Sequence, residues 1–398
     1  MGEIGVGEVF DVSAGDSTVL EQEFDIRVGS KELLTALKTV IGVVESSQIL
    51  QILSHVKIIA RNGTLTIISS DSEVELISTL PLLTKISGEF SITLPGKKLF
   101  DICRTLPVGV EVALFCTKNW VKIRATENIE FTLSALPAEG FPIIRFSSDA
   151  SSFTLSTKSM SLLLGSSSFA MAHNDVRHFL NGMLLTFSSD NVKVTATDGH
   201  RLAIDFARLD SNDCSDAPIS SIVPRKAVLE LAKLIDVTDE GQVNISVTKY
   251  HIRVVTDKFI LTTRLLEGEY PDCERLIPDY DGTKAIVSRA LFKQALSRAA
   301  ILAKEKYHGV RLSFSSGQLK ISSQNSDNEK AFESFDIEYD GGDISIAFNI
   351  SYLLDVVNVL SSSEIDFILS DPQKCVLLKE YGEGENTNSL YVVMPMTI

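Results

Sequence analysis

At 398 residues, 44% hydrophobic and 22% charged, the chain is too long for one core and too apolar to stay unfolded, so two to four domains are expected. A formal net charge of −15 argues against general adhesion to nucleic acid, and no apolar run approaches the roughly 18 residues of a membrane span. Cys103, Cys116, Cys214, Cys273 and Cys375 are scattered without a Cys-x-x-Cys pair, which argues against a disulfide framework or zinc site and fits a reducing compartment.

Residues 1–23 are Gly-rich and acidic, the wrong charge for a signal peptide, and read as a mobile extension of a cytoplasmic protein. From Val28, VGSKELLTALKTVIGVV has a Ser at its start and apolar residues at helical spacing, and strands VKIIARNGTLTIISSD follow, turned at Asn62-Gly63. From Ser91, SITLPGKKLFDICRTLP reads as a strand running into one amphipathic helix. Breakers in LPAEGFPIIRFSSDASS, 136–152, close this unit. The plan then returns: a helix from Leu155 with strands after it, and a strand-helix unit from Ser220. The breakers of EGEYPDCERLIPDYDGTK, 267–284, follow. It returns again from Val287 and Ile344. A period of about 125 to 130 residues is far longer than a solenoid repeat. The expectation is an α+β chain of three similar domains, 24–148, 149–276 and 277–398, each built from two strand-helix halves.

The charge is unevenly spread. Over the six predicted helices, 31–44, 97–106, 158–173, 225–235, 288–306 and 349–360, about fourteen Lys or Arg face five Asp or Glu, whereas the whole chain has 37 against 52. Lys31, Lys38, Lys97, Lys98, Arg104, Lys158, Arg225, Lys226, Lys233, Arg289, Lys293 and Arg298 carry the excess, and only the helix around Asp355 departs from it. Lys and Arg also favour solvated helix faces on propensity alone. Five helices of six sharing the bias points to a common basic surface, suited to sequence-independent phosphate contact.

No enzyme signature survives inspection. In TATDGHRLA, Asp198 and His200 suggest acid–base chemistry, but no nucleophile elbow accompanies them and Gly199 marks a turn. LPGKKLFD lacks the phosphate-loop spacing, so Gly96 after Pro95 reads as a helix start. The six histidines show no metal spacing, so neither a metal nor a cofactor is expected. What remains is apolar material in unusual places: Tyr270, Pro271, Leu276 and Pro278 in a linker, and Met394-Pro395-Met396 at the chain end. Such material suits a partner-binding groove, against the plainer reading of a last strand packed in a core.

HFLNGMLL, ATDGHRLA, SIVPRKAVLEL, EYPDCERLIP, RAAILAKEKYHGVRL, FNISYLLDV and YVVMPM closely resemble the bacterial replicative sliding clamp, the beta subunit of DNA polymerase III, and the match runs in order from about Phe24 to Ile398. The resemblance implies a non-catalytic processivity factor. It would be a head-to-tail homodimer closing a six-domain ring, helices lining the hole and sheets outside, around double-stranded DNA without sequence preference. The implied partners are the polymerase III catalytic subunit, a clamp loader and other proteins carrying a clamp-binding peptide, with no membrane. The alternative is a clamp-fold paralogue acting as a partner-binding scaffold.

Carried over position by position, the resemblance implies a peptide cleft of Leu180, Thr197, Gly199, His200, Arg201, Leu202, Pro271, Arg275, Leu276, Asn349, Tyr352, Val392, Met394, Pro395 and Met396. His200 and Arg201 would be rim and scaffold. Buried anchors at about 1.5–3 kcal/mol each, less the cost of ordering a peptide, imply roughly micromolar affinity. Phe131 and Leu133 would meet Ile301 and Leu302 across the ring interface. The loop with Asn174, Arg177, His178 and Phe179 would join the helix lysines on DNA. Three positions depart from the family pattern: Ser47 where an Arg is common, His178 and Phe179 in place of two Tyr, and Thr397 where a basic residue can occur.

Overall fold

The computed structural model describes residues 24–45, 50–86, 88–117, 119–212, 217–238, 240–277, 282–303, 308–371, 373–382 and 389–397. The expected extension 1–23, Ser47 and Pro278 lie outside them. The first third contains β1 (Phe24–Gly29), α1 (Ser30–Val40), β2 (His55–Arg61), β3 (Thr64–Ser70), β4 (Val74–Pro81), β5 (Phe90–Pro95), α2 (Gly96–Thr105), β6 (Glu111–Cys116), β7 (Trp120–Thr126) and β8 (Ile129–Ser134). The second repeats this plan with β9 (Ser151–Ser156), α3 (Thr157–Ser167), β10 (Gly182–Phe187), β11 (Asn191–Thr197) and β12 (Arg201–Arg208). A short β13 (Ser211–Asn212) intervenes before β14 (Ile219–Pro224), α4 (Arg225–Asp236), β15 (Gln242–Val247), β16 (His251–Val255) and β17 (Ile260–Arg264). The third has β18 (Thr283–Ser288), α5 (Arg289–Ala303), β19 (Gly309–Ser315), β20 (Gln318–Gln324), β21 (Lys330–Asp336) and β22 (Ile344–Asn349). It closes with α6 (Ile350–Val359), β23 (Glu364–Leu369), β24 (Val376–Glu380) and β25 (Leu390–Val393).

The strands form four sheets, all antiparallel, and two of them cross from one third to the next. Nine strands run β13-β9-β15-β16-β17-β4-β3-β2-β5, and eight run β14-β10-β11-β12-β25-β24-β23-β18. The crossings are equivalent. At the first junction β17 pairs with β4, Thr263 opposite Val74; at the second β25 pairs with β12, Val393 opposite Arg201. Arg264 N donates to Glu73 O at 2.9 Å, just as Met394 N donates to His200 O at 2.9 Å. The two remaining sheets have four strands each, β1-β6-β7-β8 and β21-β20-β19-β22, and each stops at a strand whose counterparts are paired.

Helices lie between sheets in pairs, α1 with α2, α3 with α4 and α5 with α6. In α1, Leu33, Ala36, Leu37 and Val40 fall on one stripe and are buried, which leaves Lys31 and Lys38 exposed. The same periodicity buries Ala227, Val228, Leu231, Leu234 and Ile235 of α4, and Phe292, Leu296 and Ala300 of α5. α1 and α3 are shorter than the sequence periodicity suggests. α1 gives way at Ile41 to a tight turn in which any side chain on Gly42 would strike Glu230, and α3 gives way at Ser168. The Ser start signals also differ in kind. Ser156 caps α3, accepting from Ser159 N at 3.0 Å, but Ser30 is the first residue of α1 and donates to Pro107 O at 3.0 Å. Gly96 does begin α2, because a Cβ there would press on Val44 and Val56 at 3.1 Å. No helix among the described residues is long and apolar enough to cross a membrane.

The first junction buries a carboxyl group. Glu75 on β4 is 1% exposed and accepts Ile144 N at 3.0 Å. Burial pushes its carboxyl up to about 7, with the Ile144 hydrogen bond, Arg253 and Lys57 opposing. Because the folded value lies above the unfolded one, this group's stabilisation is complete below about pH 4.5 and is lost as pH rises through 7. Glu75→Gln removes the titration. Urea titrations from pH 5 to 8 are expected to show the wild type losing up to about 3 kcal/mol relative to the variant.

Candidate functional site

The turn between β11 and β12 is built by one carboxylate. Asp198 Oδ1 accepts from His200 N at 2.9 Å and Arg201 N at 3.1 Å, while Oδ2 receives Arg201 Nε at 3.0 Å. Thr197 Oγ1 donates to Arg201 O at 2.6 Å and accepts from Gly199 N at 3.0 Å. Gly199 sits at φ 89°, a conformation a Cβ would strain, and the Arg177 guanidinium lies 3.0 Å from where that Cβ would be. Asp198 is therefore spent on turning the chain and leaves His200 to stack on Tyr352, ring centroids 6.4 Å apart. Nothing in this turn resembles a base held for catalysis.

Arg201 ties three segments together. Beyond Asp198 it binds Asp355 of α6 and donates through Nη2 to Phe169 O at 2.7 Å, and its guanidinium lies 4.5 Å from the Tyr352 ring centroid. The acidic sixth helix thus has a local cause, since Asp355 neutralises Arg201. Asn349 caps α6, its Oδ1 accepting from Ser351 N at 2.9 Å.

Around this turn the structure gathers most of the expected cleft. Val392 pairs with Leu202, both nearly fully buried, and Met394, Pro395 and Met396 continue the strand half-exposed. Met396 N donates to Ala347 O at 2.8 Å, which holds the chain end beside Asn349. The linker closes the other wall. The Tyr270 hydroxyl accepts from Thr197 N at 3.0 Å, Cys273 is buried against Leu202, Pro271 is exposed, and Arg275 pairs with Asp272 at 2.8 Å. Leu180 is buried behind the turn. The backbone of Leu276 belongs to the short helix Cys273–Leu276.

Ile204, Ile368 and Leu377 complete the apolar floor and were absent from the sequence reading. Part of the signal was there: Phe367, Ile368 and Leu369 are apolar in succession, without alternation, as on a strand buried on both faces. Phe169 and Asp355 also act here, through contacts no local pattern announces.

The helix cations differ in their settings. Lys31, Lys38, Lys97, Lys98, Lys158 and Lys293 are exposed on the helices. Arg104, Lys226, Lys233 and Arg298 are exposed but each meets a carboxylate: Asp101, Asp71, Glu230 and Glu333. Arg225 and Arg289 depart from the expected role. Both are half-buried and donate to backbone carbonyls, Met171 O at 2.9 Å and Leu360 O. Arg177 is likewise engaged, bound to Asp175 at 2.9 Å, which holds the Asp175 carboxyl down at about 2. Asn174 adopts φ 59°, and Phe179 packs beside Gly268, a Cβ at which would lie 3.1 Å from its ring. Val176 at the loop tip and His178 are exposed.

The four residues expected at a ring interface stand apart within one chain. Phe131 and Leu133 share a face of β8, and Ile301 and Leu302 end α5 with Ile301 73% exposed.

Models of the DNA polymerase III beta subunit match the chain throughout: the N-terminal domain over 24–145, the central domain over 154–272 and the C-terminal domain over 274–397. The beta sliding clamp of Pseudomonas aeruginosa is 40% identical over 366 residues, covering 92% of this chain and 98% of that protein. The clamp of Escherichia coli K12 is 36% identical over 371 residues, covering 93% and 99%. A crystal structure of the P. aeruginosa clamp superposes with a TM-score of 0.88 at 38% identity, over 95% of this chain and all of that one. A Bartonella birtlesii clamp, solved with griselimycin bound, superposes with a TM-score of 0.87 at 31% identity, covering 95% of this chain and all of that one.

Proposed function

The chain belongs to the DNA polymerase III beta subunit family, the sliding clamps, and from that premise we propose that two copies close head to tail around duplex DNA. A sliding clamp is a non-catalytic processivity factor. The observation that carries the ring is the unfinished sheet at each end of the chain. The fourth and last strand of each first half pairs with the last strand of the following third, β4 with β17 and β12 with β25. By the same rule β21 lacks the partner that β8 supplies, and β8 lacks β21. Joining them end to end makes a heterologous contact that closes after two copies and pairs the two edges, β8 and β21, whose counterparts are paired within the chain.

The contact can be drawn from the repeat. Strand registers equate Phe131 with Tyr391, which pairs with Ala203, and equate Ala203 with Ala331. Phe131 of one copy should therefore lie opposite Ala331 of the other. At the second junction Tyr391 packs on Phe169, ring centroids 6.0 Å apart, and Phe169 follows the start of α3 as Ile301 follows the start of α5. Ile301 is then the residue on which Phe131 packs.

In the ring the exposed helix lysines face the phosphates, and topology rather than base readout holds the clamp on DNA. The surface around Thr197, Gly199, His200, Leu202, Tyr352 and Met394 to Met396 takes linear peptides of the polymerase, a clamp loader and other partners. We place this work in the cytoplasm, with the chromosome. The test is retention: loaded onto nicked circular DNA, the protein should survive gel filtration in high salt and be released once the DNA is linearised. Equal retention on linear DNA would mean binding by contact and would defeat the proposal.

A further inference from the structure

The two sheet crossings are equivalent, so whatever lies beside the peptide cleft at the second junction has a counterpart at the first. That counterpart is a cavity of about 470 Å³, lined by Ser72, Ile144, Arg145, Tyr250, His251 and Arg264 among others. The registers place Arg264 where the cleft has Met394, His251 where it has Cys375, and Glu75 where it has Leu202. Asp71 Oδ1 turns the chain here by accepting from Glu73 N at 2.9 Å and Val74 N at 2.7 Å, as Asp198 does there. Ser72 even holds φ 78° at the position of Gly199. An aromatic–proline step, Phe141-Pro142, opens the linker as Tyr270-Pro271 does. The frame is kept and the chemistry is changed.

We propose that this first-junction cavity is a second docking site, for an extended partner peptide bearing acidic side chains. The inference rests on the reading of the second junction as a peptide cleft. Arg145 is exposed and makes no ion pair among the described residues. Arg264 holds only Glu267, at 3.4 Å with both side chains exposed, a pairing that an incoming carboxylate can replace at little cost. The His251 imidazole is held below its usual range by burial and by Arg264 and Arg253, an environment that an anion would relieve. Glu75 does not line the cavity: its buried carboxyl, pushed up to about 7, accepts from Ile144 N through Oε2. Pro142, Ile144 and the ring of Tyr250, which is 53% exposed, supply an apolar wall for alternate side chains. On a chain of net charge −15, such a cationic recess selects acidic partners that the rest of the surface repels.

The test uses the full chain and a pentapeptide of alternating Glu and Leu, with a Gln version as control. NMR of the His251 ring reports the first junction, and the methyl groups of Met394 and Met396 report the second. The Glu peptide is expected to shift His251, the Gln peptide to do so at least about tenfold more weakly, and Arg145→Glu with Arg264→Glu to weaken the Glu peptide by a similar factor. Both arginines are exposed, so the variant should fold, and unchanged Met394 and Met396 responses to the Gln peptide check this. The proposal is overturned if His251 does not respond, responds equally to both peptides, or responds unchanged in the variant. It is also overturned if a single-stranded DNA hexamer binds there more tightly than the Glu peptide. Silence of Met394 and Met396 towards every peptide would instead count against the cleft at the second junction.

Discussion

Replacing Ile301 and Leu302 with Ala is expected to turn the ring into monomers at micromolar concentration, as read by sedimentation velocity. Ile301 is 73% exposed in the single chain, so most of the loss falls on association and little on folding. Truncating two aliphatic anchors removes about 3–5 kcal/mol from one interface, and a two-copy ring contains that interface twice. The dissociation constant should therefore rise by at least about a thousandfold. Monomers with an unchanged far-ultraviolet circular dichroism spectrum are the expected result. A variant that stays fully dimeric would remove these residues from the interface.

Deleting Met394 to Ile398 is expected to abolish peptide binding while the ring still closes. The deletion leaves β25 in place, with Val392 opposite Leu202, but removes the half-exposed side chains that complete the cleft. Loss of one or two anchors at about 1.5–3 kcal/mol each lowers a roughly micromolar affinity by a factor of about 10 to 20,000. Isothermal titration with a polymerase-derived peptide reads the affinity, and primer extension reads processivity, where long products should disappear. Normal stimulation of the polymerase by the truncated protein would place the cleft elsewhere.

The repeat was legible because each third carries the same periods, helical over Leu33 to Val40 and alternating along its strands, and those periods are local. The four-sheet arrangement was not. Val74 pairs with Thr263 across 189 positions, and no pattern within either strand announces the other. Arg201 illustrates the same limit. Its place in ATDGHRLA suggested a scaffold, but what it holds, Asp355 and the Phe169 carbonyl, lies on distant segments. The basic bias of the helices was visible in composition, yet composition could not separate Lys38, exposed to solvent, from Arg225 and Arg289, which are half-buried on carbonyls. The polar counterpart of the cleft stayed hidden for a related reason: SDSEV and TDGHR share a turn but only one residue in register, Asp71 with Asp198.

The central claim is that β8 of one copy completes β21 of another and closes a ring. Electron microscopy of the purified protein in negative stain, at micromolar concentration, tests it most directly. Closed rings with six lobes and a central hole are predicted. Compact particles without a hole, or open crescents of three lobes alone, would contradict it.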